Sequence, residues 1–149
     1  MKSLLSSIYH GVKLLIISLL LIVPRWALAQ NVYNNSGLIL GRIDKDGKVY
    51  DAHSLWLGQF KPDGSMMNSR GVVIGKIEKD GTVMGADGMR VGKIGGDGTV
   101  CNHSGLTLGK IDSDGEVRAS HGIVFGKAKD VPVRYAAILF FFNMFDIRI

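Results

Sequence analysis

The chain has 149 residues, 46% of them hydrophobic and 21% charged, with 18 Lys and Arg against 13 Asp and Glu. Lys2, Lys13 and Arg25 fall in the first 29 residues, which hold no acid, so residues 30–149 carry 15 bases against 13 acids, a net charge of +2. That near balance excludes the strongly basic surface expected of a nucleic-acid binder, and the single cysteine, Cys101, excludes an internal disulfide.

The first predicted element is an address. Lys2 and Lys13 sit in a polar leader, Leu14 to Val23 is an apolar run interrupted by Ser18 alone, Pro24 ends it, and Ala27-Leu28-Ala29 is an A-x-A signal before Gln30. This pattern predicts a cleaved secretory signal peptide over residues 1–29, cut between Ala29 and Gln30. The apolar run is about half the ~20 residues of a spanning helix, and no cysteine adjoins the cut as in a lipoprotein. The expected location is periplasmic or secreted, with outer-membrane association as an open alternative.

The next element is a repeat domain, residues 30–130. A 17-residue unit recurs without insertion or deletion, its first position falling at Gly37, Ser54, Gly71, Gly88, Gly105 and Gly122. Such strict recurrence predicts one small supersecondary unit that buries its apolar face against its neighbours. Position two is apolar (Leu38, Leu55, Val72, Met89, Leu106, Ile123), as are position four (Leu40, Leu57, Ile74, Val91, Leu108, Phe125) and position seven (Ile43, Phe60, Ile77, Ile94, Ile111). Position five is always glycine, from Gly41 to Gly126. A bulge at that glycine would bring positions two, four and seven onto one face of a strand.

Each full unit then carries Asp-Gly (Asp46-Gly47, Asp63-Gly64, Asp80-Gly81, Asp97-Gly98, Asp114-Gly115). Asp-Gly between two apolar-alternating runs is a hairpin turn, because glycine adopts positive φ and aspartate bonds its own backbone. A second strand follows, led by Val49, Met66, Val83, Val100 and Val117. The short links leave no room for helical crossovers, which predicts an all-β, up-and-down chain.

Residues Val32 to Ser36 match the second half of a unit and Gly122 to Lys127 the first half. Pairing these two ends would close a toroid and remove exposed sheet edges; an open meander is the alternative. The string from Asn102 to Val117 (NHSGLTLGKIDSDGEV) and the late run Ala136 to Phe142 resemble the five-fold β-flower proteins, small exported bacterial proteins of tandem hairpin units. The resemblance implies a radial arrangement of hairpins and brings no activity, catalytic residue or cofactor with it. Six first-type strands are counted here, so the symmetry is expected to be five-fold or six-fold.

Position six is basic or polar: Arg42, Gln59, Lys76, Lys93, Lys110 and Lys127. Ring closure would set the cations Arg42, Lys76, Lys93, Lys110 and Lys127 at equal height, a candidate site for an acidic ligand; the alternative is a solvated outer face. The acids of the Asp-Gly turns lack the later Glu that a calcium loop needs, and His53, His103 and His121 lack a carboxylate partner in register, so no metal and no cofactor is expected. No nucleophile–base pair or phosphate loop is present, and the expectation is a protein that is not an enzyme. Trp56, Arg90, Cys101 and His103 are the singular departures from the repeat.

The last element is an apolar tail, residues 131–149, with eight apolar or aromatic residues from Tyr135 to Phe142, then Met144, Phe145, Ile147 and Ile149, interrupted by Asn143, Asp146 and Arg148. Phe140, Phe141, Phe142 and Phe145 are the candidate contacts: they are expected either to pack on the toroid as a plug or to dock on a membrane or another copy. The function expected is a structural or binding role in the bacterial envelope for a partner or ligand the sequence does not name, with membrane association or self-assembly through the tail as the second reading.

Overall fold

A computed structural model describes residues 29–149; the expected signal segment, apart from Ala29, lies outside them. Twelve short strands follow one another: β1 (Gln30–Asn34), β2 (Ile39–Ile43), β3 (Lys48–Asp51), β4 (Trp56–Phe60), β5 (Ser65–Asn68), β6 (Val73–Ile77), β7 (Thr82–Gly85), β8 (Arg90–Ile94), β9 (Thr99–Asn102), β10 (Thr107–Ile111), β11 (Glu116–Ala119) and β12 (Val124–Lys127). Each pairs antiparallel with its sequence neighbours, and β1 pairs with β12, so the sheet is a closed barrel. The register at this seam, Tyr33↔Lys127 and Asn34↔Gly126, repeats Lys110↔Arg118 and Gly109↔Ala119 inside a hairpin. The toroid is therefore six-fold. Asp-Gly turns join five hairpins, and the sixth is assembled from the two ends of the repeat.

The expected bulge is present in every unit. Between β3 and β4, Val49 pairs with Gly58 and Tyr50 with Trp56, leaving Leu57 unmatched; Leu40, Ile74, Val91, Leu108 and Phe125 are skipped in the same way. The bulge puts positions four and seven on the inner face, where position seven is buried together with Val32, Val49, Met66, Val83, Val100 and Val117. Position two does not join them. Its six side chains sit in the turns before the strands and are 57–69% exposed, because the alternation that would turn them inward is broken at position four.

The tail fills the barrel. After β12 a short helix, α1 (Val133–Ala137), leads into a π-helical turn (Ile138–Phe142) whose Ile138 and Leu139 are fully buried. Arg134 donates to the carbonyls of Glu78 (3.1 Å) and Lys79 (2.8 Å) in a distant Asp-Gly turn, which ties the tail to the mouth it enters. Beside it the rings of Tyr135 and Phe60 stack with centroids 3.9 Å apart. Beyond Leu139, one tail side chain faces each position-five glycine in reverse chain order: Phe140 on Gly126, Phe141 on Gly109, Phe142 on Gly92, Met144 on Gly75, Phe145 on Gly58 and Ile147 on Gly41. A Cβ at five of these glycines would stand 2.6–3.4 Å from the tail atom, and at Gly126 closer still. Glycine is required there because the plug on one side and, at all but Gly126, a carbonyl oxygen of the neighbouring strand occupy the space of a side chain. Asn143 and Asp146, which interrupt the apolar run, are exposed and left-handed (φ 45° and 54°), so they let the backbone turn without taking a place in the lumen.

Candidate functional site

The filled lumen leaves the outer wall and the two rims as the surfaces on which this molecule can act. On the wall, positions five and seven point in, so position six points out. Lys76, Lys93, Lys110 and Lys127 are exposed, and Arg42 is half-buried with its guanidinium carbon 4.0 Å from the Tyr50 ring centroid. The five cations share one repeat position, and they face outward around a belt and do not converge on one site. Lys48, Arg118 and Glu116 lie on the same wall, which gives the belt seven bases against one acid, with Lys76 paired to Glu78 at 3.6 Å and Arg118 to Asp112 and Glu116.

One rim is formed by the Asp-Gly turns. In each, the glycine lies at φ between 81° and 88°, and its carbonyl accepts the position-seven N–H of the next unit, as in Ile94 N to Gly81 O at 2.9 Å. The turn aspartates bond their own backbone: Asp63, Asp80 and Asp97 accept from the amides of Ser65, Thr82 and Thr99 at 2.9–3.0 Å. The Ser65 hydroxyl, then its amide, lowers the pKa of Asp63; for Asp80 and Asp97 the threonine amide acts first and the hydroxyl second. Among the described residues, Asp112, Asp114 and Glu116 are the carboxylates near enough together to suggest a cation site. Arg118 already answers them, pairing with Asp112 and Glu116, and its own pKa is raised chiefly by Asp112. Counting residues 44–47 and their equivalents with residues 129–134, this rim holds nine carboxylates against Lys45, Lys61, Lys79, Lys129 and Arg134.

The opposite rim uses the same turn geometry with different chemistry. Asn34, Asp51, Asn68 and Asn102 each accept two backbone N–H groups, two and four residues on, at 2.8–3.0 Å. The fourth residue is left-handed, glycine in five units and Ser54 (φ 65°) in the other. The apolar position-two side chain follows it. His53, His103 and His121 are exposed on these turns, and His53 Nδ1 is 3.9 Å from Asp51. The three acids here, Asp51, Asp87 and Asp146, stand against Arg70 and Arg148, while Arg90, at the repeat position of Trp56, lies on the wall behind them.

Cys101 is half-buried on the outer wall, where its Sγ lies 3.8 Å from the Thr107 hydroxyl. Trp56 lies on that wall too, 39% exposed, its indole N–H donating to the Gly58 carbonyl at 2.8 Å. Phe140 and Phe145 are buried and Phe141 and Phe142 pack against the core, so the candidate tail contacts are made with the barrel's own glycines and not with an outside surface. Sequence reasoning missed the apolar rim, although its signal, six apolar residues each directly after the turn's first-position Gly or Ser, was in plain view.

A closed ring of identical hairpins plugged by its own C-terminal tail defines a structural β-repeat type. The family model for the 5-fold beta-flower protein matches residues 29–144, and the chain belongs to this family. No curated protein and no solved structure matches it.

Proposed function

We propose that this protein is an exported, non-enzymatic β-repeat module that works in the bacterial envelope by presenting its outer surface to a partner or ligand. The observation that carries the proposal is the filled lumen. Six tail side chains seated on six glycines occupy the axis, and binding falls to the belt and the rims. Export is supported by the leader pattern of residues 1–29. A non-enzymatic role is supported by the carboxylates of the turns, which are committed to the backbone amides that shape them.

Membrane association or self-assembly through the aromatic tail loses its contact surface, because the same phenylalanines hold the barrel together. Any such contact passes to the outside of the ring. Fractionation of cells expressing the full chain, with mass determination of the N-terminus, tests the proposal. Protein beginning at Gln30 outside the cytoplasm is the expected result, and an unprocessed chain confined to the cytoplasm overturns it.

A further inference from the structure

All six turns of one rim end in a large apolar side chain, Leu38, Leu55, Val72, Met89, Leu106 and Ile123, each 57–69% exposed. None belongs to the core, so the fold does not require them. Turn tips ordinarily carry polar residues, and apolar groups at every tip of one end mark a contact surface. On three successive units the apolar character continues onto the wall through Ile39, Trp56 and Val73. Trp56 has its N–H already bonded within the chain, so its ring can leave water without stranding a donor.

We infer that this rim docks on an anionic lipid surface, placing the six tip side chains at headgroup depth. Equivalent repeat positions in a closed ring lie at one height, so all six tips can meet a planar surface together. Charge selects the occupant. The rim is near neutral, the wall behind it is positive through Arg42, Lys48, Arg90, Lys93, Lys110 and Lys127, and the far rim is acidic. An anionic surface attracts the belt and repels the far rim, which orients the barrel tips-down. Four residues separate tip from belt, about 13 Å at strand rise, comparable with a Debye length of about 10 Å at 0.1 M salt, so the attraction is felt and is salt-sensitive.

The contact is peripheral. Strands of four or five residues are half the 9–11 of a membrane-spanning strand, and the alternation here, apolar inside and charged outside, is the reverse of a membrane barrel. The inference deepens the partner-binding proposal and rests on it for the partner's location, while vesicle binding by purified protein is read independently of export.

The test compares the processed wild-type chain, residues 30–149, with a variant bearing serine at positions 38, 55, 72, 89, 106 and 123, both freed of the apolar, basic leader that would itself bind vesicles. Co-sedimentation with vesicles of phosphatidylglycerol and phosphatidylethanolamine is measured at low and high salt, and with pure phosphatidylcholine. The wild type is expected to bind the anionic vesicles at least ten-fold more tightly than the variant, and more weakly at high salt. Equal binding by both chains, no binding by the wild type, or a rim-dependent dimer without vesicle binding overturns the inference. Should the variant unfold, fluorescence of Trp56, the one tryptophan of residues 30–149, decides: quenching by brominated anionic lipid is expected, and an unchanged signal overturns it.

Discussion

The two rims of this barrel are built from the same turn and do opposite things. Both close a hairpin with a left-handed fourth residue, and both use a side-chain oxygen to hold the backbone. At the Asp-Gly rim the glycine carbonyl bonds the next unit and the tips are acidic, so the turn stitches the ring together and keeps its end in water. At the apolar rim the equivalent glycines meet nothing within 4 Å, and the tips are Leu, Val, Met and Ile. Backbone geometry thus sets the fold twice per unit, and what each rim offers the outside is decided by the residues around that geometry.

The sharpest way to break the comparison uses two glycines flanking one strand, β7. A Cβ at Gly81 would overlap the Ile94 carbonyl oxygen, which is backbone and cannot yield, whereas Gly88 has open space around it. Gly81→Ala is expected to cost about 3 kcal/mol or more through overpacking and lost inter-unit pairing. Gly88→Ala is expected to cost about 1 kcal/mol for its positive φ alone. Urea unfolding midpoints of the two variants measure the difference; equal costs would dissolve the distinction between the rims.

Ser54 is the natural exception on the apolar rim, a non-glycine residue at φ 65°. Ser54→Gly is expected to stabilise the protein by about 0.5–1 kcal/mol, seen as a higher thermal midpoint. At the Asp-Gly rim the effect is one of pH. The folded pKa values of Asp63, Asp80 and Asp97 are depressed, so their stabilising effect is present above the ordinary carboxylate range, near pH 3.9, and is lost as pH falls through the lower folded values. The stability gap between wild type and Asp80→Ala is expected to narrow from pH 7 to pH 2; a gap independent of pH would remove the carboxylate charge from the account.

Much of this was legible because a repeat aligned with itself exposes its constraints. The Asp-Gly turns, the two strands per unit and the pairing of Val32–Ser36 with Gly122–Lys127 all followed from columns within one chain. Position two was misplaced because counting in twos from Leu38 to Leu40 assumes a continuous strand, and the chain enters from a turn before bulging at position four. The outward aim of Lys76 and its equivalents followed only once that bulge fixed the phase. The plug was half legible. Six glycines in one column and six large apolar residues from Phe140 to Ile147 match in number, and Asn143 and Asp146 mark the skipped places, yet pairing them needs the ring's curvature, which no local pattern carries. The layering of charge along the axis became visible only when the two kinds of turn were seen at opposite ends.

The central claim is that the barrel stands because its own tail fills it, which sends function to the outer surface. Truncation after Arg134, compared with the full chain by thermal unfolding and solubility, tests this most directly. Loss of the cooperative transition and of soluble protein is the predicted result; a soluble truncated barrel that still melts cooperatively near the full chain's midpoint would contradict it.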